Sequence, residues 1–279
     1  MIIDSHHHFW IYNPVEYDWI DNDMGRIRGD FLPSTLKNEI TAAGVNGVIT
    51  IQARQTIEET EWILQLAAEN DFIKGVVGWI PLVDEHVDDY LGKFQDDQNL
   101  KGIRHVLQEE PDPEYMLRNN FNRGIKLLSR YNLVYDILIF ERQLTQTIEF
   151  VDNHPNQAFI LDHIAKPLIK DNIINPWKKN IIELAKRENV CCKISGMVTE
   201  ANYRNWTVEQ LYPYLETVLE TFGPERLMFG SDWPVCQVAC EYNQWLDIVK
   251  EFISGLSTRE QENIMGLNAV RIYNLTLIK

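Results

Sequence analysis

The sequence predicts an α/β fold, a single (β/α)8 TIM barrel over residues 1–279. Three observations lead there. Eight short apolar runs are bounded by turn residues, amphipathic stretches of helical period lie between them, and neither a composition break nor a Gly/Ser-rich linker divides the chain. Barrels of this kind routinely occupy such a length as one unit. With 45% apolar and 11% aromatic residues the chain can bury a large core, and 24% charged residues is ordinary for a globular protein.

The predicted strands are Ile2 to Ser5, Gly47 to Gln52, Ile73 to Trp79, Gly102 to Val106, Leu133 to Ile139, Ala158 to Asp162, Val190 to Ile194 and Arg226 to Gly230. Helical periodicity marks Thr56 to Asn70, where Ile57, Ile63, Leu64 and Ala67 form one stripe, then Asp84 to Phe94, Pro113 to Tyr131, Glu141 to Asn153, Pro176 to Glu188 and Thr207 to Phe222. Pro113 and Pro176 suit a first helical turn, and Thr207 with Glu209 and Gln210 has the look of a capped start. Glu241 to Phe252 and Ser257 to Leu267 add two helices, the last entered through Ser257-Thr258-Arg259-Glu260, which has capping-box spacing. An open doubly wound sheet is the alternative, but no GxGxxG or GxxxxGK[ST] supports it. The irregular stretch from Ile11 to Leu32 is long for a βα loop, and its Tyr12, Tyr17, Asp18, Trp19 and Arg28 mark it as a binding loop or lid.

Lys and Arg number 26 against 41 Asp and Glu, a formal charge of −15. Such a surface repels phosphate backbones and anionic membranes, and Lys178-Lys179 with Lys186-Arg187 reads as the solvated face of a helix. Cys191, Cys192, Cys236 and Cys240 form no CxxC pair and read as buried free thiols in a reduced compartment, with a zinc site or disulfide as the alternative. No signal segment precedes Asp4 and no run is long enough to span a bilayer, so a cytoplasmic protein with neither nucleic-acid nor membrane partners is expected. Oligomeric state is open.

A barrel's active site lies at the C-terminal ends of its strands. The first strand ends in three consecutive histidines. A purification-tag remnant is one reading, but the flanks are Ile2-Ile3 and Phe9-Trp10 instead of a Ser/Gly linker. Alternation on a strand puts His6 and His8 on one face and His7 on the other. The other strands end in Gln52 and Arg54, in Trp79, in Arg104 and His105, in Tyr135 and Asp136, in Asp162, His163 and Lys166, in Lys193 and Ser195, and in Ser231, Asp232 and Trp233. So many ionisable groups in one ring exceed what packing explains. Single members have plain structural readings: Arg104 on a strand surface, His105 toward the helices, Lys193 snorkelling from a strand end. Asp232, between an apolar strand and a Trp-Pro turn, is poorly placed for solvation and points to a site. His86 and His154 are expected at the surface.

Five segments carry a resemblance: Ile3-Asp4-Ser5-His6-His7-His8-Phe9-Trp10, Gly102-Ile103-Arg104-His105-Val106, Leu161-Asp162-His163-Ile164-Ala165-Lys166-Pro167, Phe229-Gly230-Ser231-Asp232-Trp233-Pro234 and Asn268-Ala269-Val270-Arg271-Ile272-Tyr273. Together they resemble the amidohydrolase superfamily, within it the sugar-lactonase branch of L-fuconolactonase, L-rhamnonolactonase and 2-pyrone-4,6-dicarboxylate lactonase. The resemblance implies a distorted barrel with His6, His8, His163 and Asp232 around a hydrolytic centre. Members with two metals carry a bridging lysine or glutamate on strand four and a histidine on strand five, where this chain has Arg104 and Tyr135. The two-metal pattern is therefore incomplete. His6, His8, His163 and Asp232 suit one divalent ion such as zinc, while the branch is implied to include metal-independent members, and both cases stay open.

The expected reaction is hydrolysis of a small sugar lactone to its sugar acid. Asp232 serves as general base, His6, His8 and His163 orient water or polarise the carbonyl, and Arg104 binds the developing oxyanion. Gln52, Trp79, Tyr135, Lys166 and Trp233 are the candidates for sugar recognition. Ser231 lacks the GxSxG setting of a nucleophile. A metal-dependent decarboxylase of a small carboxylic acid and a non-catalytic sugar-acid-binding barrel are the alternatives.

Overall fold

A computed structural model of the protein describes residues 1–276. Its eight strands, β1 (Ile3–His7), β2 (Gly47–Ile51), β3 (Ile73–Gly78), β4 (Leu100–Val106), β5 (Val134–Leu138), β6 (Phe159–Leu161), β7 (Val190–Ile194) and β8 (Leu227–Phe229), pair in chain order in one sheet. Every ladder is parallel. This is the (β/α)8 architecture read from the eight apolar runs. β1 continues past the predicted Ser5 and takes in His6 and His7.

The helices are α1 (Pro33–Ala43), α2 (Ile57–Glu69), α3 (Val87–Phe94), α4 (Asn119–Leu128), α5 (Leu144–Asp152), α6 (Trp177–Leu184), α7 (Val208–Phe222), α8 (Tyr242–Phe252), α9 (Thr258–Glu262) and α10 (Asn268–Ile272). Sequence periodicity did not bring out α1. Its inward face has only Pro33, Leu36 and Ile40, yet Pro33 opens it and Gly44, in the left-handed region at φ 70°, closes it. The stretch predicted from Pro113 to Tyr131 breaks into 3-10 turns at Tyr115–Leu117 and Ser129–Tyr131 flanking α4. The stretch from Ser257 starts as predicted, with the Ser257 and Glu260 amides each bonded to the other's side chain, and then widens into a π turn over Asn263–Leu267. There Gly266 passes so close to β1 that a Cβ on it would lie 2.9 Å from the Met1 carbonyl oxygen.

Inside the barrel, Ile3, Ile49, Ile51, Val77, Val134, Ile160 and Met228 fill the lower part, and Ala269, Tyr273 and Leu275 close it from below. Among the described residues no helix is long and apolar enough to cross a membrane. The first and last strands meet without a regular ladder. One parallel bridge joins His7 to Trp233, and backbone bonds run from Asp232 N to His6 O (2.8 Å) and from His8 N to Trp233 O (2.7 Å). Side chains complete the seam: Ser5 Oγ donates to Phe229 O at 2.6 Å, and Asp4 Oδ1 accepts from the amides of Ser231 (2.8 Å) and His6 (3.1 Å). Tyr242 of α8 donates its hydroxyl to Asp4 Oδ2 at 3.0 Å.

Tyr242→Phe leaves that buried carboxylate oxygen without its donor, and the protein should lose about 1–3 kcal/mol of stability in urea unfolding. An unchanged unfolding midpoint would show that the seam does not lean on this bond.

Candidate active site

The seam sets two motifs side by side. His6 and His8 emerge from β1 on one face, with their Nε2 atoms 3.2 Å apart, and Asp232 follows β8. Asp232 Oδ1 lies 3.5 Å from His8 Nε2, 3.8 Å from His6 Nε2 and 4.0 Å from His163 Nε2. His7 turns the other way and bonds Thr50 Oγ1 at 2.9 Å. Backbone geometry is unusual at both contributing loops. His163, Ile164, Ala165 and Lys166 all have positive φ, and so does Asp232 at 57°. Beside them Gly196 is required for space, since a Cβ there would lie 2.4 Å from His163 Nδ1.

Burial lowers the basicity of all three imidazoles: His8 falls below its ordinary value, His6 well below it and His163 to about 4. They are neutral at pH 7 and offer lone pairs. Burial opposes ionisation of Asp232, but His163, His8 and Lys166 outweigh it and hold the carboxyl below its usual range. His8 Nδ1 faces the Ile51 carbonyl at 2.9 Å and must donate to it, which leaves Nε2 unprotonated toward His6 and Asp232.

Beneath this group lies a buried ionic network. Asp162 Oδ2 pairs with Arg104 Nη1 at 3.0 Å, and Asp162 Oδ1 lies 3.0 Å from Lys193 Nζ and 3.3 Å from His6 Nδ1. Lys193 also pairs with Asp136. Arg104 Nη2 donates to both oxygens of Gln52, and Nη1 reaches within 3.4 Å of His6 Nε2. Burial pushes the Asp162 carboxyl up, but Lys193, His6 and Arg104 reverse this and hold it well below the ordinary carboxylate range.

The donor set fits one metal ion. Tetrahedral zinc with bonds near 2.1 Å separates its ligand atoms by about 3.4 Å. His6 Nε2, His8 Nε2 and Asp232 Oδ1 are spaced 3.2, 3.5 and 3.8 Å apart, and His8 Nε2 turns its lone pair toward the other two. A second group, His6, Asp162 and His163, shares His6 with the first. Both oxygens of its Asp162 already face Arg104 or Lys193, so these cations stand where another ion would go.

Above the centre opens a cavity of about 570 Å³ walled by Trp10, Trp19, Arg54, Lys166, Glu200 and Tyr203, with His8, Arg104, His163 and Asp232 at its floor. Lys166 faces Glu200 at 3.7 Å, and Arg54 pairs with Glu16 at 2.7 Å. The Ile11 to Leu32 loop supplies Glu16, Asp18, Trp19 and Met24 to this wall, on a small core of its own around Trp10, Tyr17, Ile20 and Ile27.

Of the residues proposed for sugar recognition, Lys166 reaches the cavity. Gln52 is buried and holds Arg104. Tyr135 points the other way, into Phe121, Phe150 and Phe159, because its strand neighbour Asp136 takes the inward face. Trp233 packs fully buried between Phe9 and Phe31, and Trp79 donates its indole N–H to His105 Nδ1 at 3.2 Å. The structure thus keeps Tyr135, Trp233 and Trp79 off the cavity wall. His105 in turn bonds Glu110 at 2.6 Å. His154, expected at the surface, is buried against Asn122, whereas His86 is exposed. Sequence reasoning assigned no role to Asp162, Lys193 or Asp136, and it passed over Glu200, Tyr203 and Glu59. Asp162 carried a signal like that of Asp232, a carboxylate just past the end of a buried apolar strand.

The amidohydrolase family model matches residues 3–275, and the chain belongs to that family. Within it, the chain is 37% identical over 288 residues to an L-fucono-1,5-lactonase of Burkholderia multivorans, covering 98% of this chain and 96% of that one. An L-rhamnono-gamma-lactonase of Scheffersomyces stipitis is 28% identical over 200 residues, covering 63% of this chain and 59% of that one. A crystal structure of a Burkholderia multivorans amidohydrolase with bound Zn superposes with a TM-score of 0.96 at 36% identity, covering 99% of this chain and 100% of that one.

Glu59, in the first turn of α2, holds the cavity loop after β2. Its Oε2 accepts the amides of Ala53 (3.1 Å) and Arg54 (2.6 Å). Burial raises its carboxyl from 4.5 to about 7. Between those values the folded state keeps a proton that the unfolded chain has lost, so this group's stabilisation is full below 4.5 and fades as pH rises through about 7. Glu59→Gln should remove that part of the decline, seen as a smaller fall in unfolding midpoint from pH 5 to pH 8 than in the parent protein. Identical falls in both would contradict the raised carboxyl.

Proposed function

We propose that residues 1–279 work as one hydrolase unit that opens a sugar lactone to its sugar acid. The observation that carries this reading is an ionised carboxylate, Asp232, ringed by neutral imidazoles at the floor of a cavity with aromatic and hydrogen-bonding walls. The names of the fucono- and rhamnonolactonase relatives support the substrate class.

Water held between the histidines and Asp232 attacks the lactone carbonyl carbon as Asp232 takes its proton. The carbonyl π pair moves onto oxygen, and the Arg104 charge, fixed by Asp162 and Gln52, stabilises the oxyanion. The C=O bond re-forms, the bond to the ring oxygen breaks, and Asp232 returns the proton to the alkoxide. Lys166, Glu200 and Arg54 can bond sugar hydroxyls, while Trp19 and Tyr203 offer apolar faces. His6, His8 and Asp232 would hold a divalent ion such as zinc, which would supply Lewis-acid polarisation of the carbonyl or water. The four cysteines are free and buried, which supports a reducing, cytoplasmic setting.

Asp232→Asn should lower kcat by about 10²- to 10⁴-fold in a pH-indicator assay against L-fucono-, L-rhamnono- and L-galactonolactone. Turnover near the parent level would sink the base assignment, and carbon dioxide release from an aromatic acid with no lactone turnover would replace the reaction.

Equilibrium dialysis with zinc should saturate at a single equivalent per chain, and His8→Ala should abolish that binding. Two equivalents would contradict the reading of Arg104 and Lys193 as occupants of the second position.

A further inference from the structure

The cavity wall above the catalytic floor is charged unevenly, with four carboxylates against two cations. Glu16 and Asp18 come from the Ile11 to Leu32 loop, Arg54 from the loop after β2, Glu109 from the turn after β4, Lys166 from the loop after β6 and Glu200 from the turn after β7. Both cations are already engaged. Arg54 Nη1 lies 2.7 Å from Glu16 Oε2, and Lys166 Nζ lies 3.7 Å from Glu200 Oε1 and 5.5 Å from the centre of the Phe140 ring.

Asp18 and Glu109 are the carboxylates left over. Both are exposed, and neither forms an ion pair among the described residues. Glu109 has a neutral partner, the Gln108 side-chain amide, which donates to it at 3.3 Å. In the reaction proposed above the floor takes the lactone carbonyl, so the ring substituents meet the wall. A hydroxyl there can donate to a carboxylate or accept from a cation. A carboxylate substituent would have to displace Glu16 or Glu200 from its cation, and would face Asp18 and Glu109 with nothing to offset the repulsion. Like charge set against an unwanted ligand is a direct source of specificity.

We propose that Asp18 and Glu109 are specificity-determining residues: with Arg54 and Lys166 held by Glu16 and Glu200, their charge restricts the site to lactones that carry no carboxylate substituent. The proposal deepens the lactonase reading and rests on it. Neither residue touches the reacting atoms; each acts through the field it sets across the cavity.

L-Fucono-, L-galactono- and L-galactarolactone share one ring configuration and end in methyl, hydroxymethyl and carboxylate. The amide of the last is its neutral match in size, so comparing amide with carboxylate isolates charge. In the parent protein kcat/KM for the amide should exceed that for the carboxylate about tenfold or more at about 20 mM salt, and the gap should narrow at about 500 mM. Asp18→Asn combined with Glu109→Gln should shrink the low-salt gap about fivefold or more. Glu200→Gln, which leaves Lys166 without its carboxylate, should shrink it as well. Glu216→Gln combined with Glu220→Gln makes the same change of net charge on the exposed face of α7 and should keep the parent gap. Equal kcat/KM for amide and carboxylate in the parent would overturn the proposal and leave the lactonase reading in place. So would a gap that survives the Asp18 and Glu109 changes, or one that the α7 pair closes equally. No turnover of any neutral lactone would instead overturn the lactonase reading beneath it.

Discussion

The Asp4 carboxylate at the junction of β1 and β8 is the contact on which the site depends. A sheet of eight parallel strands becomes a barrel only if its first and last members meet, and here the ladder between them is reduced to one bridge. Asp4 substitutes for the missing ladder by accepting backbone amides from both sides, His6 on β1 and Ser231 after β8. Burial raises its carboxyl to about 6, an unfavourable setting for a charge. It is offset because both amides and the Tyr242 hydroxyl would otherwise lack an acceptor. The same closure sets His6 beside Asp232, so barrel integrity and the hydrolytic constellation rest on one group.

Above the apolar lower half, the barrel interior changes character. Arg104, Lys193, Asp136 and Asp162 are all buried there, two cations against two carboxylates. Desolvating each ion costs several kcal/mol, and pairing only roughly offsets that, so the network is poorly explained as a source of stability. Its effect is electrostatic. It fixes positive charge within 3.4 Å of either ring nitrogen of a histidine that stays neutral. Charge held in place before substrate arrives needs no reorganisation when an oxyanion forms.

Those parts of the fold with strong local signals were legible in the sequence. The eight strands were, because each is an apolar run cut off by turn residues, whereas α1 was not, because three inward positions are too few to stand out. His6, His8 and Asp232 were legible because each is polar in a stretch otherwise reading as core. Tyr135 and Asp136 show the limit: both are adjacent on β5, and only the register, which pairs Arg104 with Asp136, tells which faces inward. Glu200, Tyr203 and Trp19 come from loops far apart in the chain and have no periodicity to read.

The end of β6 shows why a regular strand cannot supply this site. Continued alternation would send only one of Asp162 and His163 into the barrel. The structure needs both, Asp162 for Arg104 and Lys193 and His163 for Asp232. The chain meets this by leaving the strand at Leu161 and running four residues, His163 to Lys166, through positive φ. That conformation is costly for a β-branched residue such as Ile164, of order 1–3 kcal/mol. Neighbours hold it: Trp177 donates to the Ile164 carbonyl at 2.7 Å, Lys166 N bonds back to His163 O at 2.8 Å, and Gly196 leaves room for the imidazole. The strain therefore sits where the chemistry is, and α6 and β7 supply the packing that keeps it there.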